Sequence, residues 1–142
     1  MKNTIESIVQ VFEGLTVEQV EQLDKLYASD ARFKDPFNDV RGVAAIQRIF
    51  RHMYIQLEAP RFVIDQRIID GRQCFLTWEF RFFFRRFKPH IEQVILGGSH
   101  LLLDEAGRIT LHRDYWDAAE ELYEKLPVIG GLMRLLKKRA NS

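Results

Sequence analysis

The apolar residues of this chain change period near residue 60, and that change constrains the fold more than any other feature. Before it, Ile5, Ile8, Val9 and Phe12 keep the i, i+3, i+4, i+7 spacing of an amphipathic helix. Ile46, Ile49, Phe50, Met53 and Leu57 do the same after Gly42. Pro60 marks the end of that helix. Beyond it, 61–69 reads as a strand, and Asp70-Gly71 is a hairpin turn signal leading into 72–87. Lys88-Pro89 separates this strand from 91–103, and Glu105-Ala106-Gly107 turns the chain into a last strand at 108–116. Four strands joined by short connections predict an antiparallel meander.

The first helix has Asn3 as a cap, Glu6 three residues on and Gly14 at its close. Thr16 and Gln19 form a capping-box pattern for a second helix with Val17, Val20, Leu23 and Leu26-Tyr27 as its apolar positions. A short strand at 30–35 ends at Asp35-Pro36, because proline cannot donate to a ladder. Helices that precede an antiparallel sheet imply an α+β fold, and long strands in such a sheet must twist and coil. The expectation is a cone: a strongly curved, mainly antiparallel sheet with the N-terminal helices packed on its concave side. Residues 1–142 read as one domain, with 118–142 as a C-terminal helical extension broken at Pro127.

Composition narrows the function classes. A net charge of +1 favours neither nucleic acid nor an anionic membrane. Eleven of the aromatic residues are Phe, a large apolar payload that suits a lined pocket as well as a core. Cys74 is the single cysteine and can form no disulfide within the chain. With no apolar run suited to a signal peptide or a transmembrane helix, a cytoplasmic location is expected.

Asp35 is the most informative single residue. Side chains at i and i+2 share a face of a strand, so Asp35 should point inward with Phe33. An acid aimed at an apolar interior is costly unless paired or used. A plainer reading is that Asp35 caps the loop ahead of Pro36.

Two motifs carry a family resemblance. Tyr27-Ala28-Ser29-Asp30-Ala31 runs on through Asp35-Pro36-Phe37 to Gly42, Ala45-Ile46 and Phe50. Asp104-Glu105-Ala106-Gly107-Arg108-Ile109 is followed by Tyr115-Trp116. Together they resemble the nuclear transport factor 2-like superfamily, which includes ketosteroid isomerases, SnoaL-type polyketide cyclases, scytalone dehydratase and limonene epoxide hydrolase. The resemblance implies that Asp35 is a catalytic base that moves a proton beside a carbonyl, and that Trp116 is a pocket aromatic. The isomerase oxyanion hole pairs a Tyr with a protonated Asp. At those positions this chain has Val11 or Phe12 and Ser99, which argues against steroid isomerisation by the familiar route.

The last strand offers substitutes. Thr110, His112, Asp114 and Trp116 share one parity and hence one face. If Trp116 faces the pocket, as the resemblance implies, His112 and Asp114 do too. An imidazole beside a carboxylate is a usual acid–base pair. SnoaL-type cyclases similarly draw a catalytic acid from this strand, which makes Asp114 a second candidate base. The candidate catalytic set is therefore Asp35, His112 and Asp114, in a ligand pocket lined by Phe33, Phe37, Trp78, Ser99 and Trp116. Against it, His112 and Asp114 can be satisfied polar core groups, and Trp78 and Trp116 simple packing.

Other features carry less. Segment 81–88 mixes basic and aromatic residues as single-strand nucleic-acid surfaces do, but its spacing also suits a hairpin with one solvated face. Leu132, Met133, Leu135 and Leu136 beside basic residues suit docking across the cone better than stable membrane insertion. No His pair has metal spacing and no phosphate loop is present, so neither metal nor cofactor is expected. Val94, Leu96 and Leu102 lie on one parity of 93–103, with Ile95, Leu101 and Leu103 on the other, so both faces need cover. One face can line the pocket, and the other suits a homodimer, which the resemblance also implies. The expected function is a pocket for a small apolar molecule with isomerase-, cyclase- or dehydratase-type chemistry. The alternative is a non-catalytic ligand-binding or protein-interaction module of the same fold.

Overall fold

A computed structural model describes residues 1–117, so the helices expected over 118–142 lie outside the described residues. Helix α1 (Lys2–Glu13) buries Ile5, Ile8, Val9 and Phe12, the face its periodicity marks. It begins earlier than expected, with Met1 at the cap. Asn3 lies inside the helix, where its carbonyl accepts a bond from the Ser7 hydroxyl at 3.0 Å. The next segment is a 3-10 helix (Glu18–Lys25) instead of the α-helix expected through Tyr27. Its apolar positions Val17, Val20, Leu23 and Leu26 recur every three residues, which matches three residues per turn. Half of the capping box forms: the Thr16 amide donates to Gln19 Oε1 at 3.2 Å.

Strand β1 (Tyr27–Lys34) starts three residues before the predicted strand, and Tyr27 opens it instead of closing a helix. The chain then turns into β2 (Asp39–Arg41), a short strand not anticipated from the sequence, which pairs antiparallel with β1. Gly42 adopts φ 98°, a conformation that favours glycine, and leads into α2 (Val43–Gln56). This helix ends before Pro60. Arg85 donates to the carbonyls of Tyr54, Ile55 and Leu57 and closes its C-terminus. Strand β3 (Leu57–Asp70) follows at once. Pro60 therefore lies within a strand, which is tolerated because β3 is a sheet edge and its ladder is irregular between Glu58 and Arg61.

Strands β4 (Gln73–Phe84), β5 (Gln93–Leu103) and β6 (Ile109–Tyr115) complete the meander. The six-stranded order is β2-β1-β6-β5-β4-β3, and β1 with β6 is the one parallel pair. The sheet is curved and unclosed, with α1 against β3 and α2 against β1 and β3. Along β4 the even positions from Cys74 to Phe84 face inward. Along β5 the inward set is Ile95, Ser99, Leu101 and Leu103.

One parity expectation fails. The β5–β6 register runs Leu102↔Leu111 and then Leu103↔Ile109, so Thr110 is an extra residue in β6. The bulge lets both Ile109 and His112 point inward. Thr110 is removed from their face, and its hydroxyl donates to the Leu102 carbonyl at 3.2 Å. No helix among the described residues is long and apolar enough to cross a membrane.

Candidate functional site

Between the helices and the concave side of the sheet lies a cavity of about 170 Å³. All eight residues singled out from the sequence line it: Asp35, His112 and Asp114, with Phe33, Phe37, Trp78, Ser99 and Trp116. Helix α1 contributes Phe12, and α2 contributes Ile49, Phe50 and Met53. The even-numbered Phe residues of β4 form much of the remaining wall.

The polar groups from β1, β4, β5 and β6 form one chain of hydrogen bonds centred on Asp114. The indole N–H of Trp78 can only donate, and it reaches Ser99 Oγ at 2.8 Å. The Ser99 hydroxyl therefore gives its proton to Asp114 Oδ1 at 2.5 Å. The same oxygen accepts from His112 Nε2 at 2.7 Å. With its proton on Nε2, a neutral His112 can accept at Nδ1, where the Tyr27 hydroxyl lies at 2.6 Å. Burial, and then the charge of Asp114, push the Tyr27 phenol well above its ordinary pKa of 10.0, so it stays a donor. The rings of Phe33 and Phe12 meet the imidazole edge-on at 4.7 and 5.5 Å between centroids, and fix its plane.

This geometry divides the roles. Both nitrogens of His112 are engaged, so the imidazole orients Asp114 and does not itself offer a free acceptor to the cavity. Asp114 receives both of its bonds on Oδ1, and Oδ2 accepts none among the described residues. Among the described residues, the end of the network left without a donor is a carboxylate oxygen, Asp114 Oδ2.

Asp35 follows β1 directly and holds the turn into β2. Its Oδ1 accepts from the amides of Phe37 (2.8 Å) and Asn38 (2.7 Å) and from Asn38 Nδ2 (3.0 Å). Its Oδ2 accepts from Asn38 Nδ2 at 3.0 Å. The capping role and the cavity-facing role thus coexist in one side chain. Burial raises its pKa from the ordinary 3.8. The Asn38 and Phe37 bonds oppose that rise and the charge of Asp114 adds to it. The two carboxyls are therefore close enough to sense each other. Phe37 and Trp116, both lining the cavity, meet edge-to-face at 5.4 Å.

Tyr27 and Asn38 are the site residues that sequence reasoning missed. Asn38 carries a local signal, because an Asp followed by an Asn three residues on suits a side-chain-held turn. Tyr27 carries no such signal, because the β1 ladder is irregular between Tyr27 and Arg32 and no parity count from Phe33 reaches it. Cys74 is buried beside the cavity wall, and its thiol is pushed up to about 11 by burial, which leaves it unreactive. Among the described residues, no cluster of three His, Cys, Asp or Glu is arranged to hold a metal ion.

An unclosed, curved sheet wrapped over two helices, with two acids on the wall of an aromatic cavity, defines a pocket-bearing α+β domain of the nuclear transport factor 2-like kind. The chain belongs to the SnoaL-like domain family, whose model matches residues 8–112. Comparison with curated proteins returned no match. Among solved structures, the chain is similar to an NTF2-like protein of unknown function from Burkholderia pseudomallei K96243. That pair is 16% identical over 87% of this chain and 97% of the other, with a TM-score of 0.73. A protein with a ketosteroid isomerase-like fold from Catenulispora acidiphila DSM 44928, in complex with trimethylamine, is 14% identical over 84% of this chain and 89% of its own, with a TM-score of 0.71. An LEH-like epoxide hydrolase from M. tuberculosis is 18% identical over 94% and 92%, with a TM-score of 0.67. At these identities the likeness is one of fold.

Proposed function

We propose that this protein binds a small, largely apolar molecule in the cavity and moves a proton on it, in chemistry of the isomerase, cyclase or dehydratase type. The observation that carries this reading is the pair of unlike carboxyls on one apolar cavity. Asp114 is held on one oxygen by Ser99 and His112 and, among the described residues, is open on the other, while Asp35 is tied into a turn with its pKa raised. Two acids whose environments differ can divide acid and base duties between them. In this reading Asp114 is the base, Asp35 the partner acid, and His112 the group that orients Asp114.

The cavity also limits the substrate. A void of about 150 Å³ holds a benzene-sized molecule, so about 170 Å³ suits a single ring or a short branched chain, not a fused polycycle. The trimethylamine bound by the Catenulispora protein supports a small occupant for this fold. A second reading, a ligand-binding module without chemistry, is favoured by the internal satisfaction of His112 and of Asp35 Oδ1.

Proton exchange separates the two. Both tryptophans of the chain line the cavity, so their fluorescence reports occupancy independently of chemistry. With cyclohexanone as probe in deuterated buffer, the wild type should accelerate exchange at the carbon beside the carbonyl, followed by NMR. D35N and D114N should each lower that rate by about a hundredfold or more, with ketone affinity by fluorescence changed less than about threefold. Unimpaired exchange in both variants would reject the assignment. Binding without exchange in the wild type would favour the module.

A further inference from the structure

We propose that the cavity selects a compact organic cation, a quaternary ammonium or protonated tertiary amine, over neutral and anionic molecules of the same shape. The inference rests on the reading of this cavity as the ligand site and names the charge class of its occupant. Ten of the cavity-lining residues are aromatic, among them Phe33, Phe62, Trp78 and Trp116. Aromatic faces attract alkylated ammonium groups through the ring quadrupole, and more strongly where water is excluded.

Charge points the same way. Asp35 and Asp114 line the cavity together with the imidazoles of His52 and His112, and no Lys or Arg among the described residues does. The bonds that hold Asp114 come from a Ser hydroxyl and an imidazole N–H, and those that hold Asp35 come from two backbone amides and an Asn side chain. The Tyr27 hydroxyl lies 2.6 Å from His112 Nδ1, so an imidazole that accepts there carries a single proton, on Nε2 toward Asp114. The site therefore presents a carboxylate that is solvated by dipoles but not neutralised. A guest with a diffuse positive charge compensates Asp114 at Oδ2, while its methyl groups meet the rings. A guest carboxylate would add a like charge in a poorly screened cavity.

Three probes of matched shape test this: choline, its neutral carbon isostere 3,3-dimethylbutan-1-ol, and the anion 3,3-dimethylbutanoate. Tryptophan fluorescence titration of the full chain near neutral pH should rank choline first, on the order of tenfold tighter than the alcohol, with the anion weakest. In D114N the advantage of choline should shrink to within about threefold while the alcohol binds as before. The wild-type ranking alone decides the matter if D114N does not fold. The proposal is overturned if the alcohol matches choline, if the anion binds best, or if none of the three perturbs the tryptophans. The outcomes stay separable from those of the exchange assay. Exchange without charge preference removes the cation and keeps the acid–base reading, and charge preference without exchange does the reverse.

Discussion

The carboxyl of Asp35 is shared between a turn and a cavity, and the two environments pull its ionisation in opposite directions. Burial and the neighbouring charge of Asp114 favour the protonated form, and the Asn38 and Phe37 donors favour the carboxylate. The balance lies toward a raised pKa. Because the folded value exceeds the unfolded one, Asp35 contributes stability that is fully present below the ordinary 3.8 and lost as pH rises through the folded value. The amide introduced by D35N does not titrate. The melting temperature of D35N relative to wild type should therefore rise between roughly pH 4 and pH 7, whatever constant offset the altered turn bonds add. Differential scanning fluorimetry across that range checks it, and a flat difference would mean that the folded pKa is not raised. At this scale the motif around Asp35 and the parity of His112, Asp114 and Trp116 were legible in the sequence. Tyr27 was not, because its partner His112 is 85 positions away and nothing local marks the pairing.

Strands β4 and β5 show how an element can be read correctly as to face and still conceal what its small residues do. Period-two patterning identified the apolar faces of both strands. It gave no reason for Gly97. A Cβ placed there would lie 2.6 Å from the Trp78 ring and 2.9 Å from the Tyr115 carbonyl oxygen. The absence of a side chain lets the Trp78 indole lie against β5 and reach Ser99. Gly97→Ala should therefore displace the indole, break its bond to Ser99 and cost about 1–3 kcal/mol by overpacking. Urea denaturation should show a lower midpoint, and the wild-type tryptophan emission should shift in the native state. An unchanged midpoint and spectrum would mean that the sheet yields there at no cost. The Thr110 bulge belongs to the same scale. An inserted residue resets parity without altering the apolar pattern around it, so period-two counting passed over it.

Across the whole molecule, the outer face of the sheet remains to be accounted for. Val94, Leu96 and Leu102 point outward from β5, and Leu96 is 57% exposed. Tyr115 on β6 is 45% exposed and meets Phe75 of β4 at 6.2 Å between ring centroids. We propose that this face pairs with a second copy of the chain, which would withdraw these side chains from water. Size-exclusion chromatography with light scattering should give twice the chain mass of 16.8 kDa at high micromolar concentration. Leu96→Glu should shift the population to monomer, and a wild-type monomer under those conditions would count against the pairing. The order of residues along the chain was enough to establish the α+β class, the four-strand meander and the buried face of most elements. Those follow from periodicity, which neighbouring residues impose on one another within a few positions. Folding in three dimensions was needed to set β1 parallel beside β6, and to bring Ser99 and His112 onto one oxygen of Asp114 with Trp78 and Tyr27 bonded behind them. Strand order, ladder register and a single inserted residue bring those groups together. Each is a long-range choice that leaves no local pattern in the chain.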